Sequence, residues 1–416
     1  MMPHVSARQR LTDNIASNFA YVGAMALITL LVVPLYVHAL GAAWNYVALC
    51  LTIQGFVFLL DAGIAPLMLR DVARAQVAGQ ESASYRRFLH LYIGLGVSIF
   101  VIGEAATFLV AAFRHGAAGM PADFRAALHL AFVQFLFQFC NNAAIGYWNA
   151  AQQQRLANVR LVAFVVVKHA LALTCVLIWH SATAYMLPFA LVSAIECAAN
   201  HRRLHIEHAV LSVVPGGASD WRDVGGYGAA TALGLATTQV DRWYLCLALP
   251  PDRYGIYYLA SSLMLSMFSL QVPVIRAFLP RMATAERPDA VARAMRQILL
   301  LVIAVPSLLL AAFAPTALNW WLHDAAIANA GAPAFRLLML AVAMNAVFAP
   351  TSMLLLHGHR YREIAAINAA ILVVQLLVLA LLTPRIGMLA GACAWLAWSA
   401  IQLAYAGYHA RTATER

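Results

Sequence analysis

Residues 14 to 38 read NIASNFAYVGAMALITLLVVPLYVH, an apolar stretch that contains no Asp, Glu, Lys or Arg. A helix of about 20 such residues spans the hydrocarbon core of a bilayer, so this stretch predicts a transmembrane helix. Similar stretches follow it through nearly the whole of the 416-residue chain. The twelve predicted spans are residues 14–38, 46–69, 88–112, 126–148, 159–179, 183–200, 225–249, 254–279, 298–318, 334–356, 363–383 and 386–408. The sequence therefore predicts an all-α, polytopic membrane protein with about twelve transmembrane helices.

The arginines lie almost entirely on every second connection between these spans. If the N-terminus is cytosolic, nineteen arginines fall on the cytosolic side, and the five that fall outside are Arg114, Arg125, Arg253, Arg336 and Arg385. Positively charged loops are retained in the cytosol, so this bias predicts that both termini are cytosolic. Arg8 and Arg10 precede a first span with no small-residue cleavage pattern, which favours a retained helix over a cleaved signal peptide.

The composition agrees with a membrane protein, because 63% of the residues are hydrophobic and 11% are charged. The net charge of +10 indicates attraction to anionic lipid headgroups and argues little for a nucleic-acid partner. The six cysteines lie inside predicted spans without paired spacing, and the histidines show no ligand spacing, so we expect neither disulfides, nor a metal site, nor a cofactor. The outside loops are too short for an extramembrane catalytic domain, which favours alternating-access transport over an enzyme.

The chain repeats itself weakly. Leu40, which precedes Tyr46, corresponds to Leu249, which precedes Tyr254, at an offset of 209 residues (249 minus 40). A turn that ends in Arg155 resembles one that ends in Arg360, at an offset of 205 residues (360 minus 155). Parallel repeats of this kind occur in transporters whose substrate path lies between the halves. We therefore predict two pseudo-symmetric six-helix bundles, residues 1–200 and 225–416, joined by a cytosolic linker at 201–224.

One group of residues resembles a known family. The motif DR…L…YGxYxxA is formed here by Asp241, Arg242, Leu245, Tyr254, Gly255, Tyr257 and Ala260. The first two spans add Asn18, Leu40, Gly41, Asp61, Gly63, Arg70 and Ala73. These residues are similar to the O-antigen and polysaccharide repeat-unit flippases of the multidrug/oligosaccharidyl-lipid/polysaccharide (MOP) exporter superfamily.

The resemblance implies a flippase of the bacterial inner membrane. Such a protein moves undecaprenyl-diphosphate-linked oligosaccharides from the inner to the outer leaflet for O-antigen, lipopolysaccharide or exopolysaccharide biosynthesis. Protons or sodium ions are the implied coupling ions. Membrane lipids, and polysaccharide polymerase or chain-length proteins, are the implied partners beside the lipid-linked substrate.

Two cations lie at membrane depth and are the predicted diphosphate contacts. Lys168, the only lysine, lies eight residues past Arg160, about 12 Å along a helix. Arg242 lies at a comparable depth below Pro250. A diphosphate that leaves water needs cationic partners, which Lys168 and Arg242 can supply. The alternatives are that Lys168 snorkels to the inner interface and that Arg242 forms a structural pair with Asp241 or with a partner in the first span.

Three acids are the predicted ion-coupling groups, namely Asp61, Asp241 and Glu104. Burial favours the uncharged form of a carboxyl group, so a carboxyl at membrane depth can take up and release a proton. Asp61 also matches the acid in the second helix of the resembled family.

Structural pairing is the alternative for acids near helix ends. Glu196 lies close enough to the inner face to pair with Arg202 or Arg203. Glu104 has Arg114 as its possible partner.

A stripe of amides is the predicted sugar contact. Gln134, Gln138, Asn141 and Asn142 follow the spacing i, i+4, i+7, i+8 and share one helix face, and Thr238 adds a hydroxyl on the seventh span. Amides suit oligosaccharides, but inside membranes they also join helices.

Other functions remain open from the sequence. A cation-coupled drug antiporter of the same superfamily would share the fold, although it would centre its cavity on acids and not on cations. A peptidoglycan-precursor flippase usually has fourteen spans. A membrane polysaccharide polymerase or ligase, a different class, typically carries a large outside loop that this chain lacks.

Overall fold

The structure of the protein, a computed structural model, describes residues 7–77, 81–113, 120–207, 233–283, 288–357 and 360–414. These residues form helices joined by short turns, and no strand occurs among them, which confirms the all-α prediction. The chain divides into two compact units, Met1–Ala229 and Ala230–Arg416. Most of the predicted linker, 201–224, lies outside the described residues, and residues 201–207 continue a helix of the first unit.

The first unit contains six long helices in its described residues. They are α1 (Ala7–Leu40), α2 (Trp44–Val77), α3 (Glu81–Phe113), α4 (Ala122–Ala150), α5 (Gln154–Trp179) and α6 (Ala182–Glu207). A single 3-10 turn, Gly41–Ala43, joins α1 to α2, and Gly41 has a φ of +53°, a conformation that glycine adopts without strain. Helix α4 packs against α2, α3 and α6, so its polar residues face several neighbours.

The second unit is built around one central helix. Its helices are α7 (Val240–Ala248), α8 (Pro251–Ser269), α9 (Gln271–Ala283), α10 (Pro288–Leu299), α11 (Val305–Ala312), α12 (Ala314–Leu322), α13 (Ala325–His357), α14 (Tyr361–Ile386) and α15 (Leu389–Thr414). Helix α13 packs against α8, α10, α11, α12 and α15. The short helix α7 packs against α14, α15 and α8, and α8 begins after the Leu249–Pro250 turn.

Ten helical stretches in the described part of the chain are long and apolar enough to cross a membrane, compared with twelve predicted. One of them, Ala16–Gly55, runs from the first predicted span into the second, because the intervening 3-10 turn is itself helical and apolar. The predicted seventh span, 225–249, is described only from residue 233. Exposed apolar side chains such as Leu31, Ile102 and Leu301 line the outer faces, as expected of helices in lipid. The cytosolic location of the termini stays a prediction.

The predicted ninth span, 298–318, is interrupted. A π-helical turn, Leu300–Ala304, leads into α11, which ends at Ala312, and α12 begins two residues later. Pro306 and Pro315 lie in the first turns of α11 and α12, where proline is tolerated because the first N–H groups have no helical acceptor. These prolines therefore mark new helix starts inside one apolar stretch.

Candidate functional site

The predicted amide stripe of α4 is engaged by neighbouring helices. Gln54 Nε2 of α2 donates to Gln134 Oε1 at 2.7 Å, and Gln134 Nε2 donates to Gln138 Oε1 at 3.4 Å. Gln134 is buried, whereas Gln138 is half-buried and has only that long hydrogen bond among the described residues. The first part of the stripe therefore joins α4 to α2.

Asp61 lies in a cluster of neutral hydrogen-bonding groups. The Tyr92 hydroxyl of α3 donates to Asp61 Oδ1 at 2.6 Å, and the Asn142 side chain also hydrogen-bonds the Asp61 carboxyl. No ion pair of Asp61 occurs among the described side chains. The cluster links α2, α3 and α4 through a carboxyl group whose described partners are all neutral.

A chain of five polar side chains connects α4, α5 and α6. Lys168 Nζ donates to Glu196 Oε2 at 2.7 Å, and Asn141 Nδ2 donates to Glu196 Oε1 at 3.0 Å. Asn200 Nδ2 donates to Asn141 Oδ1 at 2.6 Å, and Arg160 Nε donates to Asn200 Oδ1 at 2.5 Å. Lys168 and Glu196 are both buried and form an ion pair. The only lysine of the chain therefore has its charge neutralised inside the first unit.

The expectation that Glu196 pairs with Arg202 or Arg203 is wrong. Both arginines are exposed and lie six and seven residues further along α6, about 9 and 10.5 Å from Glu196 along the helix axis. A buried carboxylate needs a partner at its own depth, and Lys168 of the neighbouring α5 supplies it. Lys168 is 7% exposed, so it does not snorkel to the interface.

Glu104 has a partner that the sequence analysis missed. Glu104 Oε2 of α3 and His129 Nδ1 of α4 lie 2.5 Å apart, and both side chains are partly exposed. Arg114, the alternative partner in the sequence, lies outside the described residues. Glu104 lies nine residues before the end of α3 and His129 seven residues after the start of α4. Matching the depths of adjacent antiparallel helices is the signal that could have found this pair.

In the second unit, Asp241 and Arg242 are neighbours in sequence but have separate partners. The Tyr257 hydroxyl donates to Asp241 Oδ2 at 2.5 Å. Arg242 Nε donates to Ser261 Oγ at 2.9 Å, and Arg242 Nη2 donates to Ser262 Oγ at 3.1 Å.

The guanidinium of Arg242 is buried without an acidic partner among the described residues. Its Cζ atom lies 4.7 Å from the centre of the Tyr258 ring, and the whole residue is 7% exposed. Asp241 is 1% exposed, and its Oδ1 atom makes no hydrogen bond of ordinary geometry among the described residues. The Trp395 indole N–H and the Arg242 backbone N–H also interact with this carboxyl group. The alternative of a structural pair between Asp241 and Arg242 is therefore not formed as a direct ion pair, although the two charges interact electrostatically.

Thr238, the remaining predicted sugar contact, lies in the turn before α7. Its hydroxyl donates to the Leu235 carbonyl at 2.7 Å, and the residue is half-buried.

Comparison with known proteins identifies the fold. No protein-family model and no curated protein matches the sequence. A multidrug resistance MATE family transporter of the MOP superfamily, in an inward-facing conformation, has a TM-score of 0.70 and 12% identity, covering 95% of this chain and 99% of that chain. A MOP superfamily transporter from Pyrococcus furiosus has a TM-score of 0.63 and 13% identity, covering 95% and 91%. A eukaryotic MATE transporter has a TM-score of 0.59 and 12% identity, covering 95% and 96%. The chain has the fold of these transporters.

Proposed function

We propose that this chain is a membrane transporter that moves an anionic, lipid-linked oligosaccharide from the inner to the outer leaflet of the bacterial inner membrane by alternating access. The apolar helices and the transporter fold support the membrane-transport part of the proposal. The choice of an anionic substrate rests on Arg242.

Arg242 carries this choice because it is a buried cation held by neutral groups. A buried charge is costly unless it is paired, so binding of an anion would stabilise an arginine in this state. Ser261 and Ser262 accept two of its hydrogen bonds, and a guanidinium has five N–H donors. A diphosphate offers the oxygens that suit such a planar set of donors. We propose that Arg242 meets the substrate diphosphate.

The other predicted residues take different parts in this proposal. Lys168 is the first of the two predicted phosphate contacts, but Glu196 already neutralises it, so we assign it to the packing of α5 against α6. Gln134, Asn141 and Asn142 likewise support α4. Gln138 is half-buried and weakly bonded, so we propose it as a sugar contact.

Thr238 is also half-buried, and we propose it as a second sugar contact. Asp61, Asp241 and Glu104 are the proposed ion-coupling groups, and protons or sodium ions are the proposed driving ions. Asp61 leads because its described partners are neutral hydrogen-bonding groups, which leaves its charge open to titration.

A cation-coupled drug antiporter is the second candidate function. The observation that favours it is the fold, which this chain shares with multidrug resistance MATE transporters. An antiporter for organic cations requires acids that can face its substrate, and Asp61 meets the chemical requirement. Arg242 argues against this candidate, because a buried cation repels a cationic drug.

Vesicle transport separates the two candidates. The purified chain is reconstituted and tested with a fluorescent undecaprenyl-diphosphate-linked glycan and, separately, with a fluorescent organic cation. We expect transport of the lipid-linked glycan and none of the cation above empty vesicles. Transport of the cation alone would overturn the proposal and favour the antiporter.

A further inference from the structure

Helix α8 separates the two opposite charges of α7. Asp241 and Arg242 are consecutive and buried, and a long arginine side chain next to a carboxylate at low dielectric has a strong electrostatic reason to fold onto it. Instead, each side chain is bonded to a different set of groups on α8. These contacts keep the pair apart.

The contacts come from two i, i+4 pairs on α8. Tyr257 and Ser261 share one face of the helix, and Tyr258 and Ser262 share the adjacent face. Tyr257 bonds the carboxylate of Asp241 at 2.5 Å. The other three residues hold the guanidinium, through hydroxyl bonds of 2.9 and 3.1 Å and through the Tyr258 ring at 4.7 Å.

The Oδ1 atom of Asp241 is the reason why the separation of Asp241 from Arg242 matters for anion binding. Asp241 Oδ1 is buried and makes no hydrogen bond of ordinary geometry among the described residues, although the Trp395 indole N–H and the Arg242 backbone N–H also interact with the carboxyl group. The Arg242 guanidinium has N–H donors that are not yet bonded. The neighbouring Asp241 carboxylate is the group best placed to take them, so it competes with any external anion for Arg242. Whatever fixes Asp241 therefore controls whether Arg242 can bind a phosphate.

We propose that Tyr257 is a positioning residue that holds Asp241 away from Arg242 and so keeps the guanidinium available to a phosphate or diphosphate anion. Ser261 and Ser262 hold the guanidinium through its Nε and Nη2 atoms. Without the Tyr257 hydroxyl, Asp241 turns to Arg242 and competes with the anion. This inference rests on the proposed function, because it assumes that Arg242 receives the anionic part of the substrate.

The test is pyrophosphate binding to the purified full-length chain, measured by isothermal titration calorimetry. Tyr257→Phe removes only the hydroxyl and is expected to weaken binding at least about tenfold, since a charge-assisted competitor then occupies Arg242. The double variant Tyr257→Phe/Asp241→Asn removes the competitor and is expected to restore the affinity to within about threefold of wild type. Tyr36→Phe removes a buried hydroxyl of the first unit, which bonds His169, and is expected to change nothing.

Asp241→Asn alone is expected to bind pyrophosphate at least as tightly as wild type, which keeps the inference testable if Tyr257→Phe does not fold. Weaker binding by Asp241→Asn, wild-type binding by Tyr257→Phe, or a double variant as weak as Tyr257→Phe would each overturn the positioning role. Wild-type affinity in Arg242→Ala, or no binding by the wild-type protein, would instead reject the anion site and the proposed function with it.

Discussion

The two cationic side chains that are buried in the described part of the chain are stabilised in different ways. Lys168 has a carboxylate partner, Glu196, at 2.7 Å, and the pair is tied into a network through Asn141. Arg242 has two hydroxyls and an aromatic ring. The first arrangement is electrically complete within the protein, whereas we propose that an anion from outside completes the second. This difference leads to opposite expectations for substitutions at the two positions.

Lys168→Met is expected to destabilise the protein. Removing the ammonium leaves the Glu196 carboxylate buried without its counter-charge, which costs about 3 to 5 kcal/mol of the free energy of unfolding. The second substitution in Lys168→Met/Glu196→Gln removes the uncompensated charge while keeping an oxygen for Asn141, and we expect it to recover most of the loss. Thermal unfolding in detergent measures both effects.

The control for this series is the exposed pair of Asp252 and Arg253, whose closest charged atoms are 3.9 Å apart. Asp252→Asn is expected to change stability by less than about 0.5 kcal/mol, because exposed pairs are screened by water. A Lys168→Met protein as stable as wild type, with transport abolished, would show that Lys168 acts on the substrate and not on the packing of the helices.

Asp61→Asn is expected to uncouple transport from the driving ion. The amide is a fixed neutral mimic that retains an oxygen for the Tyr92 hydroxyl, so we expect substrate binding to remain. An ion shifts a conformational equilibrium only if it binds the two states differently, and a neutral amide removes that binding. Reconstituted vesicles are expected to show a flipping rate that no longer responds to an imposed pH gradient.

The response of Asp61→Asn and of Asp241→Asn to the ion gradient, each compared with wild type, decides which carboxylate couples transport to the ion. If both Asp61→Asn and Asp241→Asn keep the wild-type gradient dependence, neither carboxylate is the coupling site. Glu104, which contacts His129, would then be the next group to substitute.

At the scale of elements, the side-chain amides of α4 join this helix to its neighbours. Its side chains reach α2 through Gln54, and α6 through Glu196 and Asn200. In a membrane the hydrophobic effect does not drive helices together, so buried polar contacts of this kind take a larger part in joining them. The stripe on α4 is therefore mainly an internal support.

Asn141→Leu is expected to destabilise the first unit by about 2 to 3 kcal/mol, because it leaves Glu196 and Asn200 with unmet hydrogen-bonding groups. Gln138→Leu on the same helix is the matched control. Gln138 is half-buried with one long bond, so we expect less than about 1 kcal/mol. Unfolding midpoints in detergent compare the two variants. If both variants lost little stability, and Asn141→Leu lost glycan transport without unfolding, Asn141 would instead be assigned to sugar binding.

The sequence predicted the elements better than their contacts. Apolar stretches such as residues 14–38 define membrane helices by length and composition alone, which are local properties. The partner of an intramembrane charge depends on which helices pack together and in which register, and neither is local. Asp241 and Tyr257 belong to one sequence motif, yet their contact becomes visible only when α8 folds back along α7.

Some of these helix registers can be worked out from the sequence. Lys168 lies eleven residues before the end of α5, and Glu196 lies fourteen residues after the start of α6. Adjacent antiparallel helices bring such positions to similar depth, so this pair was accessible to a depth argument. The neutral partners of Arg242 were not, because serines occur throughout the chain.

At the scale of the whole molecule, the orientation in the membrane follows from the arginine bias. Reporter tags placed after Gln80, Ser219 and Arg411 are expected to lie in the cytosol, and tags after Ala118 and Ala330 outside. Alkaline phosphatase and fluorescent protein fusions give complementary readings of each site. An outside reading at Ser219 would contradict the arrangement of two halves in the same orientation.

The measurement that tests the central claim most directly is the flipping rate of an undecaprenyl-diphosphate-linked glycan in vesicles containing wild-type protein, Arg242→Ala or Arg242→Lys. Loss of a buried charge contact with a diphosphate costs about 2 kcal/mol or more, so we predict that Arg242→Ala slows flipping at least about 30-fold at limiting substrate. Arg242→Lys keeps the positive charge but not the planar set of donors, so its flipping rate is expected to lie between those of the wild type and Arg242→Ala. A folded Arg242→Ala protein that flips the diphosphate-linked glycan at the wild-type rate would contradict the account.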